Sequence, residues 1–131
     1  MKTLLILTAL IEAGAGAALM CCPSAMAALL LGAPLDTPAA MTVGRVAGAA
    51  LFALGVTCWL AREDPQSRAA RGLAVAMLLY NVAAVALLAS AEICLGLRGV
   101  ALWPAIVLHA ALTGWWFVCL RGWRSEKALI R

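Results

Sequence analysis

The chain has 131 residues, of which 66% are hydrophobic and only 12% are charged, and its mean hydropathy is +1.01. A water-soluble domain carries roughly 25% charged residues, so the composition argues against that class and predicts an integral membrane protein. The formal charge of +4 resides in short basic clusters beside apolar segments, which is typical of membrane orientation rather than of nucleic-acid binding. We expect one transmembrane domain over residues 1–131, with the lipid bilayer as its partner and no nucleic acid.

The first apolar segment has features of a secretory signal peptide, because Lys2 precedes it and the small residues Ala25 and Ala27 follow it. Glu12 interrupts this segment, however, and a signal peptide rarely tolerates a carboxylate in its apolar region. We therefore expect the segment to persist as the first membrane-spanning helix.

Four segments are long and apolar enough to cross a bilayer, whose hydrocarbon core of roughly 30 Å requires about 20 helical residues. Thr37 followed by Pro38 is a favourable helix start, and Ser67 is another. Pro65 separates the second helix from the third. The sequence predicts an all-α four-transmembrane-helix bundle, with helices over about 3–22, 38–61, 68–95 and 100–121.

The connection between the first two helices is the longest one. Pro23 ends the first helix, and the apolar stretch that Gly32 closes predicts a short helix over about 24–31. Such a helix is too short to span a membrane. We expect it to lie along the membrane interface, and the alternative is a cap over a binding site.

The distribution of basic residues predicts the orientation of the bundle. One side holds only Arg45 and Arg98. The other side carries the remaining eight basic residues: Lys2, Arg62, Arg68, Arg71, Arg121, Arg124, Lys127 and Arg131. This bias predicts a bacterial inner-membrane protein whose N- and C-termini are both cytoplasmic.

The five tryptophans lie near the predicted helix ends, where indole rings favour the headgroup region. Trp103 lies near the outer face, and the other four near the inner one: Trp59, Trp115, Trp116 and Trp123. We expect all five to anchor the helices at the two interfaces.

Each predicted helix carries a polar residue within its apolar stretch, where a charged side chain costs about 2.5 to 3.5 kcal/mol. At about 1.5 Å per residue, Glu12, Asn81 and His109 all lie roughly 13 to 18 Å from the inner helix ends. Arg45 lies about 10 Å below Pro38, from where its side chain reaches toward Glu12 or toward the headgroups. The candidate ligand or proton site comprises Glu12, Arg45, Tyr80, Asn81, His109 and Thr113.

Three interpretations of this polar centre remain open. It is an internal network, pairing Glu12 with Arg45 and Asn81 with His109, that only fixes helix register. Alternatively, it is a site for a proton or a polar ligand, or it is an interface to another membrane subunit. All three interpretations require close helix contacts, which small residues favour. Such residues are Ala9, Ala13 and Ala17 in the first helix and Gly44 with Gly48 in the second.

We predict no catalytic site, no metal and no cofactor, because the chain has one His and lacks CxxC, HxxxH, Walker and GxSxG patterns. Three of the five cysteines lie on the predicted outer side: Cys21, Cys22 and Cys94. A disulfide between Cys22 and Cys94 is possible if that side is oxidising. The alternative is that the cysteines are unpaired apolar filler.

The positions of the polar residues resemble those of small four-helix inner-membrane proteins that are common in bacterial genomes. The likeness covers nearly the whole chain and rests on four features: Glu12, Gly44-Arg45, Tyr80-Asn81, and Pro104 with His109. It implies the fold and no particular activity.

A narrower resemblance is to the small multidrug resistance transporters, which also have four short helices and a membrane-embedded glutamate in the first. The segment Leu10-Ile11-Glu12-Ala13-Gly14 occupies that place here, and the resemblance implies that Glu12 is a proton and cation site. The chain departs from that family in having Arg45 and His109, in its strong charge bias, and in lacking an aromatic, glycine-rich third helix.

The sequence leads to one main functional hypothesis and two alternatives. The main one is a non-enzymatic membrane protein that acts as a homo-oligomer or as an accessory subunit of a larger membrane complex. The first alternative is a small proton-linked transporter or a small-ligand-binding membrane protein that uses Glu12. The second is a cysteine-based redox partner.

Overall fold

The computed structural model describes the backbone of residues 1–129 and the side chains of residues 1–122. Within this part the chain forms five helices and no strand: α1 (Lys2–Cys21), α2 (Pro23–Leu31), α3 (Pro38–Ala61), α4 (Arg68–Leu95) and α5 (Leu102–Leu129). Four residues named in the sequence analysis lie outside the described side chains: Trp123, Arg124, Lys127 and Arg131.

Four of these helices are long and apolar enough to cross a membrane, namely α1, α3, α4 and the Leu102–Gly122 part of α5. This confirms the all-α architecture and the four long apolar helices. Their outward surfaces are apolar: only 11% of the most apolar stretch of α3 is buried, and Val43, Val46 and Leu60 are exposed there. Apolar surfaces of this extent indicate a non-aqueous environment or a partner.

The helix ends follow from local chemistry. Thr37 Oγ1 accepts a 3.1 Å hydrogen bond from the backbone N–H of Ala40, and Ser67 caps α4 through Ala70 in the same way. Gly96 ends α4 in the left-handed conformation, with φ of 66°. The last helix begins at Leu102, two residues later than predicted, and the Ala101 N–H just before it donates to Leu29 O at 3.0 Å.

The four long helices form two close pairs, α1 with α3 and α4 with α5. Glycines bring the backbones of the first pair together. A Cβ added at Gly48 would lie 2.8 Å from the carbonyl oxygen of Gly16, and one added at Gly55 would lie 2.6 Å from the Ala13 nitrogen. The close packing predicted from the small residues is therefore present between α1 and α3.

The hydrophobic core lies at the end of the bundle where α1 begins and α3 ends. It combines residues from all four long helices: Leu4, Leu5, Ala9, Cys58, Ala74, Met77, Leu112 and Trp116. Trp116 corrects the sequence interpretation, because it is 0% exposed and packs in the core rather than at an interface. It lies on the same inward stripe of α5 as His109 and Thr113. Trp59, Trp103 and Trp115 are exposed, as an interfacial role requires.

The short helix α2 bridges the opposite end of the bundle and contacts α1, α3 and α5. At its start, Ser24 Oγ donates to Leu35 O at 2.9 Å. At its end, Leu29 accepts from Ala101, and Gly99 approaches the backbone of Leu29 and Leu30 too closely for any Cβ. Helix α2 is thus attached to both helix pairs at this end of the bundle, and its place at a membrane interface or over a binding site stays a prediction.

Candidate functional site

Glu12 is an interior residue of the bundle, with 2% of its surface exposed. It lies one turn from Thr8 and one turn from Gly16, and all three face inward. The hydroxyl of Tyr80, on α4, lies within reach of its carboxyl group. Its other oxygen, Oε1, has no hydrogen-bond partner among the described residues.

The charge of Glu12 is not balanced by a basic side chain of the described part of the chain. Two ion pairs of the described residues lie near helix ends, where Arg62 pairs with Glu63 at 2.8 Å and Arg98 approaches Glu92 at 4.0 Å. The buried thiol of Cys58, on α3, lies near Glu12. A thiol does not neutralise a carboxylate.

Asn81 and His109 form the second half of the polar centre. Asn81 is 0% exposed; its Nδ2 donates to Met77 O at 2.7 Å, and its Oδ1 lies 2.8 Å from His109 Nδ1. Because the amide nitrogen is already used by the Met77 carbonyl, Oδ1 is the acceptor and His109 Nδ1 carries the proton. In a neutral imidazole this leaves Nε2 as an acceptor.

Tyr80 connects the two halves of the centre. Its ring meets the His109 ring edge-on, with centroids 5.6 Å apart and an interplanar angle of 82°, while its hydroxyl reaches Glu12. Three helices therefore contribute to one continuous centre, Glu12 from α1, Tyr80 and Asn81 from α4, and His109 from α5. Thr113 stands beside it, and its hydroxyl donates to His109 O at 2.8 Å.

Arg45 is the candidate residue that the fold leaves out of this centre. Its side chain is exposed and makes no hydrogen bond or ion pair with any described residue. Gly48 contacts Gly16 and Met20 of α1, and Gly44 faces Pro23 and Leu35, so Arg45, one residue after Gly44, projects elsewhere. The Glu12–Arg45 pair considered from the sequence is not formed.

Glu92 lies on the same face of α4 as Asn81, eleven residues further along and toward the end of the bundle that α2 covers. Its side chain is 19% exposed, and its Oε2 is buried without a hydrogen-bond partner in the described part of the chain. Arg98 Nε approaches its other oxygen, Oε1, at 4.0 Å. The polar centre therefore has a second carboxyl group above it on the same helix face.

Two further interior polar atoms lack partners among the described residues, Thr8 Oγ1 and Trp116 Nε1. Both side chains are 0% exposed. Buried polar groups are usually bonded to protein or to ordered water, so each of these atoms needs an explanation. Neither unpaired atom is predictable from the sequence, although the four-residue spacing of Thr8 from Glu12 places the two on one face of α1.

The cysteines are all free thiols. Cys21, Cys22 and Cys94 are exposed, and Cys58 is buried. The Cys22–Cys94 disulfide and the redox role that depends on it stay predictions. Over the described residues, no group of three or more His, Cys, Asp and Glu side chains could hold a metal ion.

No family model, curated protein or solved structure matches this chain. The chemistry of the centre follows from its own groups. It offers a buried carboxyl oxygen without a donor, a phenol hydroxyl, and an imidazole whose orientation is held by an amide. Such a set can hold a proton, a cation or a hydrogen-bond donor.

Proposed function

We propose that this chain is a multi-pass protein of the bacterial inner membrane, with cytoplasmic N- and C-termini, that binds a proton or a small donor-bearing ligand at Glu12. The four long apolar helices support a membrane setting, and the bias of basic residues toward one side supports the orientation. In this proposal Glu12 is the binding group, and Tyr80, Asn81 and His109 position it.

One observation carries the proposal: Glu12 is 2% exposed, one of its oxygens has no donor, and no described Lys or Arg pairs with it. A carboxylate in this situation is costly, because neither water nor a cation stabilises its charge. Binding a proton or a donor group removes this cost. A residue kept only for packing would be better replaced by an apolar side chain of similar volume.

Proton-linked transport is the specific form of proton or ligand binding at Glu12 that we propose. A carrier of this kind would exchange a proton on Glu12 for a ligand group, so the groups that face Glu12 set the exchange. They are Tyr80 from α4, Cys58 from α3, and His109 from α5 through the Tyr80 ring.

Infrared difference spectroscopy of the protein in liposomes tests the proposal directly. We expect a change of pH, or addition of dodecylamine as a donor-bearing probe, to alter a carboxyl band that Glu12→Gln removes. Glu63→Gln is the matched control, because Glu63 is exposed and paired with Arg62 at the end of α3. If the Glu12 band responds to neither treatment, and Glu12→Gln only changes thermal stability, the centre is structural and the proposal is wrong.

An oligomer or an accessory subunit of a larger membrane complex is the second candidate function. The observation that favours it is Arg45, an exposed guanidinium on an apolar helix with no partner among the described residues. Such a group costs free energy unless it reaches the headgroups or an acidic group of another subunit. Cross-linking in native membranes tests this function, and we expect Arg45→Ala to reduce the amount of cross-linked oligomer or complex. If the wild-type protein and the Arg45→Ala variant are both recovered as monomers, this function is wrong.

A further inference from the structure

Exposed arginines of two neighbouring helices lie at the end of the bundle where α4 begins: Arg68 and Arg71 on α4, and Arg121 on α5. The contact between Asn81 and His109 sets the register of these antiparallel helices. Arg68 lies thirteen residues before Asn81 and Arg121 twelve residues after His109, which is about 20 Å and about 18 Å along the two axes. Arg68 and Arg121 therefore lie at nearly the same level.

The positive charge at this end of the α4–α5 pair is not balanced by acidic residues of the same two helices. The first acidic residue of α4 is Glu92, at the opposite end of that helix, and the described side chains of α5 include none. The nearest carboxylates along the chain precede α4. Of these, Glu63 is paired with Arg62 at 2.8 Å, and Asp64 forms no ion pair with Arg68.

The surface beside these arginines is apolar and open. The guanidinium of Arg121 lies over the exposed ring of Phe117, 5.0 Å from its centroid. Gly114 continues the same stripe of α5, and Gly72 lies one turn from Arg68 on α4; a Cβ at either glycine would meet nothing within 4 Å. Each helix thus presents a guanidinium next to an open apolar strip. A phospholipid complements this arrangement, with its phosphate at the guanidinium and its acyl chains along the strip.

We infer that this basic surface, defined by Arg68 and Arg121, binds a phospholipid that carries two phosphates, one at each arginine. Guanidinium groups bind phosphate through paired, charge-assisted hydrogen bonds. Packed helices lie about 8 to 10 Å apart, a distance that suits two phosphates joined by a short glycerol bridge, whereas a lipid with one phosphate leaves one arginine without a partner. The inference uses the proposed membrane setting and orientation, in which this end faces the anionic cytoplasmic leaflet, and does not depend on Glu12.

Native mass spectrometry of the detergent-solubilised full chain tests the lipid site, because it resolves each bound lipid and gives the affinity of the first one. The probes are tetraoleoyl cardiolipin with two phosphates, dioleoylphosphatidylglycerol with one, and zwitterionic dioleoylphosphatidylcholine. One charge-assisted contact corresponds to roughly a tenfold difference in affinity. We therefore expect cardiolipin to bind roughly tenfold tighter than phosphatidylglycerol, and phosphatidylcholine to bind weakest. Equal affinities for cardiolipin and phosphatidylglycerol would overturn the inference.

Substitutions distinguish a defined site from general attraction of anionic lipid to a basic end. We expect Arg68→Gln and Arg121→Gln each to weaken cardiolipin roughly tenfold and to leave phosphatidylcholine unchanged. Lys2→Gln is the matched control, because it removes one exposed positive charge from the same end of the bundle but from α1, and it should alter neither lipid. An equal loss of cardiolipin binding in Lys2→Gln would overturn the site. Glu12→Gln should bind cardiolipin as the wild-type protein does, so failure of this inference leaves the proposed function standing.

Discussion

Asn81 Oδ1 and His109 Nδ1 lie 2.8 Å apart and join the middle of α4 to the first third of α5. The pair fixes one helix against the other, because any rotation or shift of α5 would separate the two atoms. It also holds the edge of the His109 imidazole against the ring of Tyr80, and so supports the side chain that reaches Glu12.

A double-mutant cycle on this pair measures how strongly it couples the helices. We expect Asn81→Leu and His109→Phe each to lower thermal stability, since each leaves a buried polar partner unsatisfied. The double variant should lose less than the sum, with a coupling of about 0.6 to 1.7 kcal/mol, the range for hydrogen bonds between membrane helices. Additive losses in thermal unfolding would show that the bond contributes nothing.

Gly48→Ala tests the close contact of α1 with α3. The new methyl group would lie 2.8 Å from both Gly16 O and Met20 N, and backbone atoms cannot yield as a flexible side chain can. We expect a loss of about 1 to 3 kcal/mol from overpacking. Gly114→Ala on α5 is the control, since a Cβ there meets nothing within 4 Å, and it should leave stability unchanged or slightly raised. Equal unfolding temperatures for the two variants would contradict the contact.

Thr8→Val tests the unpaired hydroxyl in the interior. Valine has nearly the same shape and removes a buried oxygen that has no partner among the described residues. We expect thermal stability to rise. Thr57→Val is the comparison, because Thr57 is exposed and its hydroxyl already bonds to Ala53 O at 2.8 Å. A clear loss of stability in Thr8→Val would indicate that the hydroxyl has a polar partner in the native protein.

Gly99→Ala tests the attachment of α2. A Cβ at Gly99 would overlap the backbone of Leu29 and Leu30, so the connection before α5 must move away from α2. We expect faster hydrogen exchange at the Ala101 N–H, which donates to Leu29 O. Exchange at the N–H of Asn81, deep in α4, should not change. Unaltered exchange at Ala101 would contradict the described docking.

The free thiols report the proposed orientation without new substitutions. We expect a membrane-impermeant maleimide to label Cys22 and Cys94 from the outer side of intact spheroplasts, because both are exposed at the end that α2 covers. Cys58 is 0% exposed and should react only after denaturation. Mass spectrometry of the labelled peptides gives the result, and labelling of Cys94 only in inverted vesicles would reverse the orientation.

The helix positions could be predicted from sequence because length, hydropathy and end signals are local properties. The starts at Pro38 and Arg68 agree with the prediction, since a capping side chain and a proline act on their own neighbours. The docking of the segment before α5 could not be predicted, because the bond from Ala101 to Leu29 depends on where α2 lies.

The depth of the candidate site residues within the bundle could be predicted from the sequence, whereas the direction in which their side chains point was harder to predict. Depth follows from counting residues, so Glu12, Asn81 and His109 do meet at one level. The direction of Arg45 depends on which face of α3 packs on α1, and Gly44 with Gly48 was the signal for that face. The direction of Trp116 was likewise not predictable, since its position near a helix end did not determine whether its side chain faced the core or the surface.

The pairing of α1 with α3, rather than with its neighbour in sequence, has a consequence for biosynthesis. When the ribosome has completed α1, helix α3, against which Gly16 of α1 packs, has not yet been made. Tyr80 follows only with α4. A nascent chain therefore has to hold Glu12 without the Tyr80 side chain beside it until α2, α3 and α4 have emerged. We expect the insertion machinery to retain α1 until then, so that assembly of this protein is set by the order of translation.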